Sequence, residues 1–157
     1  TQSLIKELFE YKDGHLIRKT FVRNTNVGDK AGSVDFEGYL VTQINGKKYK
    51  NHRLVFLYHY GFIPEYVDHK DNNKTNNKIE NLRACDRSEN NYNSKIRKDN
   101  ASGIKGVSWN KAKNKWVAQI QVNRKKKHIG YFTKINDAKK EIELARSNLH
   151  GNFSNNG

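Results

Sequence analysis

The chain has 157 residues, 34% of them hydrophobic, one cysteine, and a net charge of +14 from 30 Lys and Arg against 16 Asp and Glu. One cysteine excludes an internal disulfide and any zinc ribbon built on several thiolates. No run of about 18 apolar residues exists to span a membrane, and the low apolar fraction points to thin cores divided between small units.

An excess of cations on this scale selects a polyanionic partner, because neutralised phosphates release condensed counterions. No secretory pattern follows Thr1, so an intracellular, cytoplasmic protein is expected. Residues 1–12 read as a short helix with Leu4 and Leu8 on one side. Asp13-Gly14 makes a turn into a strand over His15–Arg18, and a polar loop follows through Asn24, Asn26 and Gly28. Tyr39–Ile44 and Lys47–Lys50 flank Asn45-Gly46, a hairpin signal because both turn positions want positive φ. Residues 14–50 therefore predict a small basic antiparallel sheet, a scaffold or a surface for DNA.

Residues 51–62 read as a buried helix stopped by Gly61 and Pro64. Its His52 and His59 lack carboxylate neighbours and are read as core or capping histidines, while Arg53 suits a phosphate or a salt bridge. A strand over 65–69 leads into the loop 70–78, whose asparagines tie off tight turns. A second strand over 79–83 follows, then a helix capped by Asp86 or Ser88 and running to about Arg97. Residues 98–102 have linker composition. Beyond them lie strands over 106–109, 115–122 and 127–132, and a helix over 137–149 capped by Asn136 and ended by Gly151. Trp116 and Phe132 fall in the apolar pattern and are read as core. Between Lys95 and Lys127 eleven Lys and Arg stand against one acid, Asp99, which concentrates the charge on the linker and sheet.

Chemistry centres on Asp68-His69, a hard oxygen ligand beside a titratable imidazole. Adjacent strand residues face opposite ways, so the pair needs a bend or a strand end to act together. A neighbouring side-chain carbonyl, with Asn81 as candidate, would select the basic ring nitrogen of His69. Asn90 adds a second hard oxygen, and the pair suits magnesium, manganese or calcium.

The stretch Asp68-His69-Lys70-Asp71-Asn72-Asn73-Lys74-Thr75-Asn76-Asn77, with Glu80-Asn81-Leu82-Arg83 and Glu89-Asn90, resembles the HNH nucleases of ββα-metal fold. It is most similar to their Asp-His, Asn, Asn version in phage and intron-associated homing endonucleases, as are Asn51-His52-Arg53-Leu54-Val55 and Val67. The resemblance implies a one-metal DNA endonuclease using Mg2+ or Mn2+, without zinc, leaving a 5′-phosphate and a 3′-hydroxyl. It makes Asp68 a metal ligand, His69 the general base, Asn81 its brace and Asn90 the second ligand, with Asn91 and Asn93 as near alternatives. Arg83 supports the phosphate or packs as a salt bridge.

Residues 103–151 resemble the DNA-binding domain of APETALA and ethylene-response factors. The matching residues are Gly103–Trp109, Lys115–Ile120, Ile129–Phe132, Asp137-Ala138 and His150-Gly151. That resemblance implies a sheet in the major groove with Lys105, Ser108, Asn110, Lys115, Gln119, Gln121, Lys126 and His128 facing DNA. Glutamine pairs bidentately with adenine, so the base preference would differ from an arginine-bearing sheet.

The expected fold is α+β: a small N-terminal antiparallel sheet plus a ββα-metal nuclease core over 1–97, the linker 98–102, and a three-stranded antiparallel sheet packed on one helix over 103–157. The expected partner is double-stranded DNA, with no membrane and no small-molecule cofactor. Two other readings compete: a non-catalytic DNA-binding regulator on a degenerate nuclease fold, and a structured-RNA binder, which the lack of an exposed aromatic pair on a sheet disfavours.

Overall fold

The computed structural model describes residues 1–22 and 24–157. The chain divides into two compact units, Thr1–Asp86 and Arg87–Gly157, each with its own apolar cluster.

The first unit opens with α1 (Gln2–Leu8), where Leu4 N donates to the Thr1 hydroxyl. The helix stops at Leu8, short of the expected residue 12. Phe9–Lys12 instead forms β1, paired antiparallel with β2 (His15–Arg18). Buried Phe9 and half-buried Tyr11 alternate with exposed Glu10 and Lys12, and Asp13 and Gly14 at φ 46° and 83° close the hairpin.

A second sheet takes β3 (Ser33–Val34), β4 (Leu40–Ile44) and β5 (Lys47–Lys50) in the order β3-β4-β5. Residues 14–50 thus contribute to two sheets rather than one, because β2 pairs backward with β1 and only an isolated bridge, Ile17 to Lys30, reaches forward. Asn45 and Gly46, at φ 48° and 78°, form the expected two-residue turn between paired Ile44 and Lys47.

The centre of the unit is α2 (Asn51–Tyr60), which ends at left-handed Gly61. Leu54, Val55 and Phe56 bury against Ile5, Phe9 and Leu16. At its start Asn51 accepts from the Thr42 hydroxyl at 2.7 Å and donates to Ala31 O at 2.8 Å, tying the helix to β4 and to the chain entering β3. These fully buried polar groups satisfy one another, which makes the junction specific at little cost.

The unit closes with β6 (Tyr66–His69) paired antiparallel with β7 (Leu82–Cys85). A 3-10 turn over Ile79–Asn81, closed by Asn81 N donating to Lys78 O, delays β7 relative to the expected start at 79.

The second unit begins with α3 (Arg87–Tyr92), shorter than the helix expected to about Arg97. Three asparagines and a serine between 90 and 94 are poor helix formers, and Ser94 N turns back to Asn91 O. Then β8 (Val107–Asn110), β9 (Lys115–Val122) and β10 (Lys125–Phe132) form an antiparallel sheet in the order β10-β9-β8. Helix α4 (Ile135–His150) covers one face of it, with Ala138 and Ile142 packing among Val107, Ala118 and Ile120.

Trp116 and Phe132 pack against this cluster, as their pattern predicts. The helix starts at Ile135 after Lys134, so Asn136 lies inside the first turn instead of capping it. Among the described residues no helix is long and apolar enough to cross a membrane.

One glycine is indispensable to the second unit. Gly106 sits at φ +82° with its carbonyl accepting from Gln119 N at 2.8 Å, and a Cβ there would lie 2.6 Å from Gln119 O. Gly106→Ala is expected to cost about 1–3 kcal/mol through left-handed strain and the clash, read as a lowered unfolding midpoint in thermal denaturation followed by circular dichroism.

Candidate active site

Asp68 and His69 end β6 and are both buried, at 7% and 5% exposure. The strand stops at His69, where Asn72 N bonds back to His69 O and Asn72 takes φ 57°. This is the strand end that the adjacent pair requires.

The register places Asp68 opposite Arg83 and His69 opposite Leu82. Across that rung Arg83 Nε and Nη2 both meet Asp68 Oδ2, at 2.8 and 2.7 Å. Of the two roles open to Arg83, the geometry realises the salt bridge.

His69 Nε2 lies 2.9 Å from Asn77 Oδ1. An amide oxygen only accepts, so Nε2 carries the proton and Nδ1 is the basic nitrogen of the neutral ring. Asn77 is 2% exposed. The contact expected of Asn81 is therefore made by Asn77.

Asn81 sits on the 3-10 turn and spends its amide elsewhere: Nδ2 donates to Asp71 Oδ1 at 2.9 Å and to Asn76 O at 2.8 Å, while Oδ1 accepts from Asp71 N at 3.2 Å. Asp71 Oδ2 takes Asn76 Nδ2 at 2.7 Å. The asparagine loop is thus organised on the Asp71 carboxylate. Burial pushes that carboxyl up, but bonds from Asn76, the Asn73 backbone and Asn81 outweigh it and leave it below the ordinary range.

Two further side chains flank His69. The His52 ring stands edge-on at 4.9 Å, and the Tyr39 ring lies 5.2 Å from His52 and 6.2 Å from His69. His52 is 5% exposed and its Nδ1 has no hydrogen-bond partner. Burial, and secondarily the charge of His69, lowers its pKa to about 3, so it stays neutral and forms an uncharged wall.

Tyr39 carries Lys50 over its ring at 3.9 Å and Lys74 at 4.7 Å. Asp35 Oδ1 accepts from Glu37 N and Tyr39 N, each at 2.9 Å, which builds the turn that presents the ring. Burial raises the Tyr39 hydroxyl despite Lys50.

His52 is the core histidine that the sequence predicts, but its contact with His69 has no linear signal. Nor does the partnership of Tyr39, Lys50 and Lys74, since Tyr39 and Lys50 lie before α2 and Lys74 lies in the loop after His69.

Burial is the largest influence on His69 and lowers its pKa, against the raising effects of the Asn77 hydrogen bond and of Asp71 and Asp68. A lowered pKa keeps the imidazole neutral and able to accept a proton across the neutral range. Asp68 is a hard donor suited to a divalent cation of the magnesium type. Among the described residues no three His, Cys, Asp or Glu side chains converge to hold a metal. Such an ion bound here would draw on the Asp68 carboxylate, with water completing its shell, a hard-oxygen donor set of the kind magnesium or manganese takes.

In the second unit, Asn90 and Asn91 lie on α3, and Asn93 just after it is 3% exposed. The register of the sheet pairs Asn110 with Lys115, Ser108 with Val117, His128 with Gln119 and Lys126 with Gln121. These residues all lie on the face opposite Trp116, Ala118, Ile120 and Val122, the residues that pack toward α4.

Lys105 does not join that face. Its Nζ donates to Tyr92 O at 2.8 Å, Asn155 O at 3.3 Å and Ser94 O, fastening the segment after α3 to the C-terminal tail. Lys105 precedes β8 and its ammonium turns inward, so the sheet alternation that places the other seven does not apply to it.

Residues 49–92 match the HNH endonuclease family. Protein 3.8 of Escherichia phage T7 is 35% identical over 96 residues, which cover 60% of this chain and 78% of that relative. No solved structure matches the chain.

The Asn77 contact is testable without any activity. Because that hydrogen bond raises the His69 pKa, Asn77→Ala is expected to shift the imidazole titration to lower pH. Asn77→Asp, which sets a carboxylate against Nε2, is expected to shift it upward. Side-chain NMR across pH 4–8 reads both.

Proposed function

This chain belongs to the family of Protein 3.8 of Escherichia phage T7 and carries an HNH endonuclease segment, and from that premise we propose that it is a metal-dependent DNA endonuclease of the homing or mobile type. The observation that carries the reading is the buried His69 held by Asn77 at the end of a strand whose preceding residue is the carboxylate Asp68. With Nε2 protonated toward Asn77, Nδ1 of His69 takes the proton from the attacking water. Attack on phosphorus breaks the bond to the 3′ oxygen, which takes a proton from solvent water, giving a 5′-phosphate and a 3′-hydroxyl. His52 and Tyr39 wall the imidazole.

Asp68 would supply the anionic metal ligand; Asn90, the second ligand that the family resemblance implies, lies on α3 in the other unit. A divalent ion, magnesium or manganese, would supply charge stabilisation at the phosphate. Before such an ion is present, Arg83 is the counter-ion that makes burial of the Asp68 carboxylate tolerable.

The second unit is assigned to duplex recognition. The shared face of Ser108, Asn110, Lys115, Gln119, Gln121, Lys126 and His128 supports that assignment, because polar and cationic side chains in rows suit base edges and phosphates. A regulator that binds DNA without cutting it is favoured only by the Asp68–Arg83 pair, which leaves Asp68 already neutralised.

Supercoiled plasmid decides between them. The wild type is expected to nick it with magnesium and not with chelator, and His69→Ala to lower the rate about 10²–10⁴-fold. Equal magnesium-dependent nicking by both proteins would remove His69 from the chemistry. The acid limb of the wild-type rate profile is expected below the ordinary histidine range, since the base works when deprotonated and its pKa is lowered. A second measurement concerns stability: Arg83→Gln exposes the Asp68 charge, so magnesium is expected to raise its melting temperature more than that of the wild type.

A further inference from the structure

The second unit contains a cavity of about 810 Å³ lined by Arg87, Arg97, Lys105, Arg124, Arg146 and His150, and by no Asp or Glu. Cations normally crowd only where water or carboxylates compensate them. Here two of them are not compensated. Arg146 is 2% exposed, donates to Lys105 O at 2.6 Å and to Asn156 Oδ1, and has no carboxylate partner among the described residues.

Lys105 is half-buried beside it and meets only backbone carbonyls. Burial and the charge of Arg146 push the Lys105 ammonium down to about 8, and burial lowers Arg146 as well. Only the charge of Glu143 acts against this on Arg146, and two neighbouring cations, one buried and one half-buried, with no carboxylate at ion-pair distance among the described residues are a cost that an anion in the cavity would relieve.

Two other features point the same way. His150 is 9% exposed, stacks on Tyr92 at 3.7 Å and spends Nε2 on Gln121 O, while its Nδ1 is buried without a partner. Arg124 holds φ +65° at the second position of the two-residue turn between β9 and β10, where glycine is the ordinary choice. An arginine accepted at that cost sets an exposed guanidinium on the wall of the cavity. The cavity also shares Gln119 and Gln121 with a smaller hollow of about 270 Å³ that includes Ser108 and Lys126 on the polar face of the sheet.

We propose that this cavity is a phosphate-binding site that takes a backbone phosphate of the duplex, with Arg146 as its buried floor and, as its outer ligands, Arg124 and Arg97, whose exposed pairing with Asp99 at 3.0 and 2.9 Å the phosphate joins or displaces. Backbone phosphates carry no base identity, so the site sets the position of the duplex on the unit and leaves reading to the sheet face. The shared chemistry, a tetrahedral oxyanion, also belongs to free phosphate. The proposal rests on the reading of the chain as a DNA-cutting enzyme, and the test separates the two.

The 157-residue protein is titrated first with inorganic phosphate and then with a short duplex in chelator. NMR follows the amides of Gly106, Gln119 and Gln121 and the Nε–H of Arg97 and Arg124. Both ligands are expected to perturb these signals. In parallel, fluorescence anisotropy compares the wild type with Arg97→Ala/Arg124→Ala and with a charge-matched control, Lys134→Ala/Lys140→Ala, outside the cavity. The arginine pair is expected to weaken duplex binding about tenfold regardless of sequence and to reduce the slope of log affinity against log salt by about one. The control is expected to change affinity less than half as much on a logarithmic scale.

Equal losses in the two double variants would overturn the site by reducing it to general surface charge. Perturbation by phosphate without perturbation by duplex overturns the backbone assignment in favour of a free-phosphate site. A chain that neither binds nor nicks DNA refutes the endonuclease reading, and the phosphate titration alone then decides whether the pocket binds an oxyanion.

Discussion

The register of β6 on β7 is the constraint on which the candidate site depends. It sets Asp68 against Arg83 and His69 against Leu82, at the strand end where the two side chains stay within electrostatic reach of each other and of Tyr39. Each residue is finished differently. Arg83 neutralises a carboxylate that could not otherwise be buried. Asn77, His52 and Tyr39 enclose an imidazole. A slip of one residue in this two-stranded pairing would exchange the rung partners and set a histidine beside Arg83. The short strands alone could not hold the register. It is pinned by Lys70 N donating to Asn81 O and by the Asp71-centred asparagine loop immediately beyond it.

The loop explains why so much of the sequence between 70 and 81 is asparagine. The amides there are not interchangeable. Asn73 and Asn76 close turns, Asn81 clasps the loop to Asp71, and Asn77 alone turns inward to the imidazole. The residues share a composition and differ in role because only burial separates them, and Asn77 is the fully buried one.

That separation by burial is not legible in the sequence. Hydrophobic period and turn chemistry make the hairpin at Asn45-Gly46, the end of α2 at Gly61 and the sheet-on-helix second unit legible, since each follows from local rules. The choice between Asn77 and Asn81 is not local, because it depends on which amide the fold carries beneath the ring. The same holds for Lys105, whose inward turn is set by carbonyls from residues 92, 94 and 155. Helix ends differ from expectation for a related reason: α1 stops where Phe9 and Tyr11 find a strand partner, a tertiary gain that propensity does not register.

The two units handle charge in opposite ways, and the contrast bears on what each can bind. In the first, the cations nearest the candidate site already have partners: Lys50 meets Glu37, Lys74 donates to Glu37 O, and Arg83 meets Asp68. A phosphate arriving there must displace or join an existing arrangement, which suits transient contact during a reaction. In the second, half-buried Lys105 and buried Arg146 meet carbonyl oxygens, Arg97 pairs with Asp99, and Arg124 is exposed. Under the proposed phosphate site, an anion there would complete an arrangement that is otherwise unbalanced, which suits lasting contact. Under the proposed endonuclease reading, weak engagement where bonds break and strong engagement away from them is the division that differential binding demands, because tight ground-state binding at the reacting group would add nothing to its rate.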